Sequence, residues 1–109
     1  MLLNRHREKA QFIKLPRQPH PPDMDQLRAI YNDTMRSPGR TTEVPFGQSA
    51  LLTITRKIGE PMCTFTLTTW CGLQGTEEWS HDSNDPRWIA QQIAEFFPKY
   101  QHYRREIRN

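Results

Sequence analysis

Residues 49–71 have the sequence SALLTITRKIGEPMCTFTLTTWC, and this stretch decides the fold. No other segment is so rich in β-branched and aromatic residues, which favour strands. Gly59 and Pro61 interrupt the stretch where a hairpin must reverse direction. We therefore predict two β-strands, Ala50 to Thr55 and Met62 to Cys71, joined by a turn.

The second strand alternates in character, which predicts a sheet with a single buried face. Successive side chains of a strand point to opposite sides of the sheet. One side carries Cys63, Phe65, Leu67 and Cys71, and the other carries Thr64, Thr66, Thr68 and Trp70. We expect helices to cover the side of Phe65 and to leave the threonine side in water.

The flanking segments predict two helices and a third strand. Residues 23–35 carry apolar side chains at three- and four-residue steps, the period of an amphipathic helix. Thr76 to His81 is the third strand, placed at an edge because only Trp79 is directed to the core. Asp85 and Pro86 are the N-cap and the first residue of the last helix. The predicted fold class is α+β, a single small domain of order α-β-β-β-α, with helices covering one face of a three-stranded antiparallel sheet.

The remaining segments are predicted to lie outside the sheet or at its edge. Asn4 to Ile13 is interpreted as a short helix, followed by a run with four prolines in residues 16–22 that favours an extended chain. Arg40 to Gln48 is interpreted as a linker, in which residues 44–47 are the part that could form an edge.

Charge is distributed unevenly, and it supports a division into three parts: a basic, proline-rich arm over residues 1–22, an α+β domain over 23–98 and a basic helix or tail over 99–109. Residues 1–20 have five basic residues and one acidic residue, net +4; the last part has four and one, net +3. Residues 21–98 have six basic and ten acidic residues, net −4. Binding of a polyanion would therefore have to depend on the two ends.

The two cysteines indicate a reducing environment. Cys63 and Cys71 are eight residues apart, roughly 26 Å along one strand, whereas a disulfide needs Cα atoms within about 7 Å. Two lone thiols and a start without an apolar signal region favour a cytoplasmic protein. No segment is long and apolar enough to suggest a membrane span, so no membrane partner is expected.

No motif predicts catalysis, a metal site or a cofactor. Ser80, His81, Asp82 and Ser83 are consecutive, whereas a nucleophile, a base and an acid must converge in space; we interpret the run as a polar loop before the last helix. Cys63, Cys71 and His81 lack the spacing of zinc ligands. We expect a protein that is not an enzyme.

The threonine side of the hairpin is the predicted partner-binding surface, consisting of Trp70, Thr66, Thr68 and Thr55. Exposed tryptophan often anchors interfaces, although threonine on an open sheet also reflects strand propensity alone. The leading hypothesis is a small cytosolic adaptor, inhibitor or regulator that docks on another protein. A homodimer is compatible with the same surface.

Nucleic-acid binding through the basic ends is the alternative hypothesis. Cations that contact phosphates and aromatic rings that stack on bases suit single strands. The residues that would serve are Arg5, Arg7, Lys9, Tyr100, Tyr103, Arg104, Arg105 and Arg108. The same C-terminal cations also suit the end of a helix, whose dipole they compensate.

The predicted element order is similar to that of double-stranded-RNA-binding domains, and Gly59-Glu60-Pro61 is similar to their loop before the second strand. Such a resemblance implies a sheet with two helices and contacts to RNA phosphates from a lysine cluster at the last helix. Here that position has the sequence Asp85-Pro86-Arg87-Trp88, with one basic residue. The resemblance is therefore one of outline, and we do not assign the chain to that family.

Overall fold

The computed structural model describes residues 11–37, 39–56, 59–70 and 75–96. These residues form five strands and two helices in the order β-α-β-β-β-β-α. The elements are β1 (Phe12–Lys14), α1 (Met24–Arg36), β2 (Thr41–Phe46), β3 (Ala50–Arg56), β4 (Cys63–Trp70), β5 (Thr76–Ser83) and α2 (86–96).

The predicted fold class is wrong in the size and type of the sheet. In place of a three-stranded antiparallel sheet, the chain forms a mixed sheet of five strands in the spatial order β1-β2-β3-β4-β5. β1 is parallel to β2, with α1 as the connection, and the other neighbours are antiparallel. Two strands at one side of the sheet were therefore missing from the prediction.

β2 occupies most of the segment that was predicted to be a linker. Its residues alternate between half-buried and buried, and Thr42, Val44 and Phe46 point into the core. Proline is unfavourable inside a strand because it cannot donate to a ladder, and β2 contains Pro45. Within a strand, the backbone nitrogen and the carbonyl of one residue point to the same side. The Pro45 carbonyl accepts a hydrogen bond from Gln18 N at 3.1 Å, on the side away from β3. The Pro45 nitrogen therefore also points away from β3. The missing donor therefore costs the β2–β3 ladder nothing.

β1 replaces the end of the helix predicted over Asn4 to Ile13, whose first residues lie outside the described part. It has only three residues, and its register places Phe12 beside Thr41 and Lys14 beside Glu43. Beyond β1 the chain stays close to the turn after β2, since Arg17 Nη1 donates to the carbonyls of Phe46 and Gly47 at 3.2 and 3.0 Å. A strand this short depends on its pairing with β2, and three residues are too few to show a strand pattern in the sequence.

The hairpin at the centre of the sequence prediction is confirmed to within one residue at each described end. β3 and β4 pair from Leu51–Thr68 to Arg56–Cys63. Gly59, in the connection, has φ +85°, a conformation that L side chains rarely adopt. Space does not explain the glycine, since a Cβ atom at this position would have no contact within 4 Å beyond its chain neighbours. The backbone angle therefore favours glycine here.

The core lies on one side of the sheet, which we call the covered face because both helices pack on it. The predicted orientation of Cys63, Phe65 and Leu67 is confirmed, since all three are fully buried. Leu27 of α1 and Ile89 and Ile93 of α2 complete the core from the helix side. Cys71 lies outside the described residues, and Cys63 is a free thiol.

α2 begins at the predicted cap Asp85, and α1 begins after a cap at Asp23, a residue that the sequence analysis placed inside the helix. Asp23 accepts a hydrogen bond from Gln26 N at 2.8 Å, and Asp85 accepts from Arg87 N and Trp88 N at 3.1 and 3.4 Å. The polar loop predicted over residues 80–83 is wrong, because β5 continues to Ser83. None of the helices in the described parts of the chain is long and apolar enough to cross a membrane.

Candidate functional site

The side of the sheet opposite the helices, which we call the open face, extends across all five strands. Every side chain on it is exposed or half-buried. Seven of its residues are threonines: Thr41, Thr53, Thr55, Thr64, Thr66, Thr68 and Thr76. The other residues of the open face are Phe12, Lys14, Glu43, Pro45, Leu51, Trp70, Glu78, Ser80 and Asp82.

Cross-strand hydrogen bonds between hydroxyls order the open face. Thr41 and Thr55 are 3.2 Å apart at their Oγ1 atoms, and Thr66 Oγ1 lies 3.1 Å from Ser80 Oγ. Thr64 Oγ1 donates to a carboxylate oxygen of Asp82 at 2.6 Å. These bonds use part of the hydrogen-bonding capacity of the side chains, and each hydroxyl keeps a lone pair for another molecule.

The four residues predicted to bind a partner lie together on this open face. Thr66, Thr68 and Trp70 are alternate residues of β4. Thr55 belongs to β3 and lies opposite Thr64 of β4. Trp70 is 46% exposed at the end of β4, where it pairs with Thr76. The structure thus assembles the predicted residues into one surface.

Phe12 belongs to the same surface, and sequence reasoning missed it. It is 55% exposed, more than any other large apolar side chain among the described residues. Lys14 follows it on the same side of β1, with Nζ 5.7 Å from the centre of the Phe12 ring. No pattern in the sequence places Phe12 on the open face, because β1 is recognisable only through its pairing with β2.

The open face carries a net negative charge. Its charged residues are one basic residue, Lys14, and three acidic residues, Glu43, Glu78 and Asp82. The acidic side chains repel a polyanion and attract a cationic surface.

The residues predicted for nucleic-acid binding fall outside the described part of the chain. This holds for all three in residues 1–10 and for all five in residues 97–109. That hypothesis therefore remains a prediction from the sequence.

Aromatic rings gather at the other margin of the domain, between β5 and α2. His81 lies between two tryptophans, 4.8 Å from the ring centre of Trp79 and 5.1 Å from that of Trp88. Trp79 also contacts Phe96, at 6.2 Å between ring centres. The alternation of β5 predicts that Trp79 and His81 share a side, but only the packing of α2 brings Trp88 onto them.

A buried polar group lies on the covered face, where α1 crosses the ends of β3 and β4. Burial raises the pKa of the Cys63 thiol to about 11, and the nearby Arg56 guanidinium acts in the opposite direction. Burial also raises the pKa of Tyr31. Arg56 Nη1 donates a hydrogen bond to the Met35 carbonyl. The buried Nε atom of Arg56 has no hydrogen-bond partner among the described residues. The Cys63 thiol is therefore neutral at physiological pH and a poor nucleophile.

In the described part of the chain, the polar residues at 80–83 are divided between the two sides of β5. Ser80 and Asp82 lie on the open face, whereas His81 and Ser83 point to the other side of β5. A groove between β1 and α1, lined by Ile13, Leu15 and Ile30 and by three polar residues, encloses about 120 Å³, well below the size of common ligand pockets. No group of three histidine, cysteine or acidic side chains in the described ranges is placed to hold a metal ion.

Comparison of the chain with protein-family models, with curated proteins and with solved structures finds no match.

Proposed function

We propose that this chain is a non-enzymatic binding protein, a small adaptor, inhibitor or regulator that docks on another protein through the open face. The observation that carries the proposal is a five-stranded sheet with one side left uncovered by both helices and bordered by exposed Trp70 and Phe12. The free, buried Cys63 thiol supports a reducing, cytosolic setting for this activity.

The shape of the open face favours a macromolecule over a small ligand. Four strands of six to eight residues and the three-residue β1, about 4.8 Å apart, give an open area of roughly 20 by 20 Å. A small ligand is usually enclosed by a cleft, whereas a flat surface binds by contact over a wide area. Standard protein interfaces cover about 800 Å² on each partner, so a partner on the open face would also reach its margins.

The chemistry of the face favours one kind of partner. Threonine hydroxyls present short, ordered donors and acceptors, and Trp70 and Phe12 supply apolar anchors at opposite corners of the sheet. Because acidic residues outnumber the single lysine, the complementary partner surface carries lysine or arginine. We therefore expect a protein partner with a flat, basic surface.

Nucleic-acid binding through the basic ends remains the alternative proposal. It rests on the charges of residues 1–20 and 99–109, net +4 and +3. The acidic body of the chain would oppose such binding, because it repels the phosphates that the ends attract.

Site-specific photocrosslinking tests the proposal. A photoreactive phenylalanine analogue at position 66 lies on the open face, and the same analogue at the exposed position 91 of α2 is the matched control. In nuclease-treated lysate, we expect position 66 to crosslink to one main protein and position 91 to crosslink to it much less. The crosslinked protein is then purified and its affinity for the unlabelled chain is measured.

Two outcomes would overturn the proposal. Equal crosslinking from both positions would mean that the open face is not the docking surface. Binding to a mixed-sequence oligonucleotide that falls steeply with salt, and is lost when residues 1–10 and 97–109 are removed, would favour the alternative.

A further inference from the structure

The outer edge of β5 offers a second surface, which adjoins the open face. β5 ends the strand order of the sheet and pairs with β4 alone among the described residues. All eight of its residues are exposed or half-buried. At an edge strand, alternate residues direct their backbone N–H and C=O groups away from the sheet, where another strand can pair with them.

An aromatic cluster lies beside this edge, on the side of α2. We define it as Trp79, His81 and Trp88, whose rings are 4.8 to 6.5 Å apart between centres. Trp88 is 36% exposed, in the first turn of α2, and His81 is also exposed. The core does not require an indole that faces water, whereas a cationic side chain is attracted to its ring face.

The charges around the edge are almost entirely acidic. Residues 76–96 contain five acidic residues and one basic residue, and β5 itself contains three acidic residues and no lysine or arginine. Glu77 and Glu78 form no ion pair with any described residue. The edge therefore attracts a basic strand.

The same charges disfavour a second copy of this chain on the edge. Pairing of β5 with β5 of another copy would bring six carboxylates together along eight residues, and like charges across a strand pair are destabilising. Acidic residues thus prevent self-association at the edge while leaving it open to a partner of opposite charge.

We propose that β5 accepts an extended, arginine- or lysine-bearing segment of a partner protein as a sixth strand of the sheet. The backbone of the segment pairs with the outer edge of β5. Its alternate side chains point to the α2 side, where a cation lies against Trp88 and His81, and the acidic residues of β5 neutralise the remaining charge. This site is separate from Trp70 and does not depend on the function proposed for the open face.

Fluorescence anisotropy with defined peptides tests the inference on the full chain. The probe is a fluorescein-labelled peptide of alternating arginine and threonine, matched to the eight residues of β5. We expect saturable binding of this probe and none of its glutamate–threonine counterpart. The decisive probe is the arginine peptide with N-methyl groups on the backbone of every second residue. This peptide keeps its charge but loses the backbone N–H donors along one of its two edges. A second peptide, methylated at the other residues, tests the other edge. At least one of them should bind at least tenfold more weakly.

Variants of the chain locate the site. Trp88→Ala should weaken binding of the arginine peptide by about tenfold, since one cation–π contact is lost. Glu77→Lys combined with Glu78→Lys should weaken it further, and it serves as the second variant if Trp88→Ala does not fold. Asn32→Ala, at an exposed position of α1, is the matched control and should leave peptide binding unchanged.

Three results would overturn the inference. They are equal binding of the N-methylated and unmethylated peptides, equal binding by Trp88→Ala and the wild-type chain, and no saturable binding of the arginine peptide. Each can occur while crosslinking at position 66 succeeds, so the two proposals fail independently.

Discussion

The two faces of the sheet are built from the same strands but differ in how deeply their side chains are buried. On β4, Cys63, Phe65 and Leu67 are fully buried under the helices, while the intervening Thr64 and Thr66 remain accessible. Burial of apolar area stabilises the fold, at about 25 cal/mol per Å². The open face contributes little apolar burial, so its residues are free to be selected for contact with another molecule. Adjacent positions should therefore differ sharply in what a substitution does.

The largest difference is expected between Phe65 and its neighbour Thr66. Phe65→Ala removes a fully buried ring that contacts Tyr31, and should lower the free energy of unfolding by about 3–5 kcal/mol. Thr66→Ala removes a half-buried hydroxyl and should cost less than about 1 kcal/mol. Urea unfolding followed by tryptophan fluorescence measures both. Similar losses for the two variants would contradict the division into two faces.

The next largest effect is a loss of stability in alkaline solution, specific to the covered face. In the unfolded chain the pKa of a cysteine thiol is roughly 8.5 to 9. Burial raises the pKa of native Cys63 to about 11. Between these values the unfolded state has lost a proton that the native state retains, so stability falls as pH rises. The loss attributable to Cys63 should reach about 2–3 kcal/mol.

Cys63→Ala is the control for this pH dependence. Unfolding curves at pH 8 and pH 11 should differ less for the variant than for the wild-type chain, because the variant has no thiol to ionise. An identical pH dependence would mean that the native Cys63 thiol is not shielded from water.

Loss of the cap on α2 should have a smaller effect, and again on stability alone. Asp85→Ala removes the acceptor for two N–H groups in the first turn and should cost about 1 kcal/mol. Asp85→Asn keeps a capping oxygen and should cost less. Thermal unfolding monitored by circular dichroism measures both variants. A loss of partner affinity in either variant, measured at a temperature where the variant is folded, would contradict an effect on stability alone.

The same contrast explains which parts of the molecule could be predicted from the sequence. The alternation of residues 63–70 is enough to assign both faces of β4, and the cap at Asp85 is a local signal. β2 was missed because Pro45 argues against a strand unless one knows that its nitrogen faces away from β3. β1 has three residues and depends on pairing with a strand 29 residues further along the chain.

The candidate sites divide in the same way. Trp70 and its threonines follow from the period of one strand, so the sequence predicts their common surface. Phe12 joins them only through the parallel pairing of β1, and the cluster of Trp79, His81 and Trp88 forms only when α2 packs against β5. Contacts between elements that are distant in sequence leave no periodic pattern from which they could be inferred.

The central claim is that Trp70 binds a partner without holding the fold, and one variant measured in two assays tests it most directly. Trp70→Ala should lower the free energy of unfolding much less than Phe65→Ala does, because the Trp70 side chain is 46% exposed and Phe65 is fully buried. Its affinity for the protein that crosslinks at position 66 should fall by at least about 2 kcal/mol, the size of an interface hot spot, with Trp70→Phe intermediate. Wild-type affinity in Trp70→Ala, or a large loss of stability together with the loss of binding, would contradict the account.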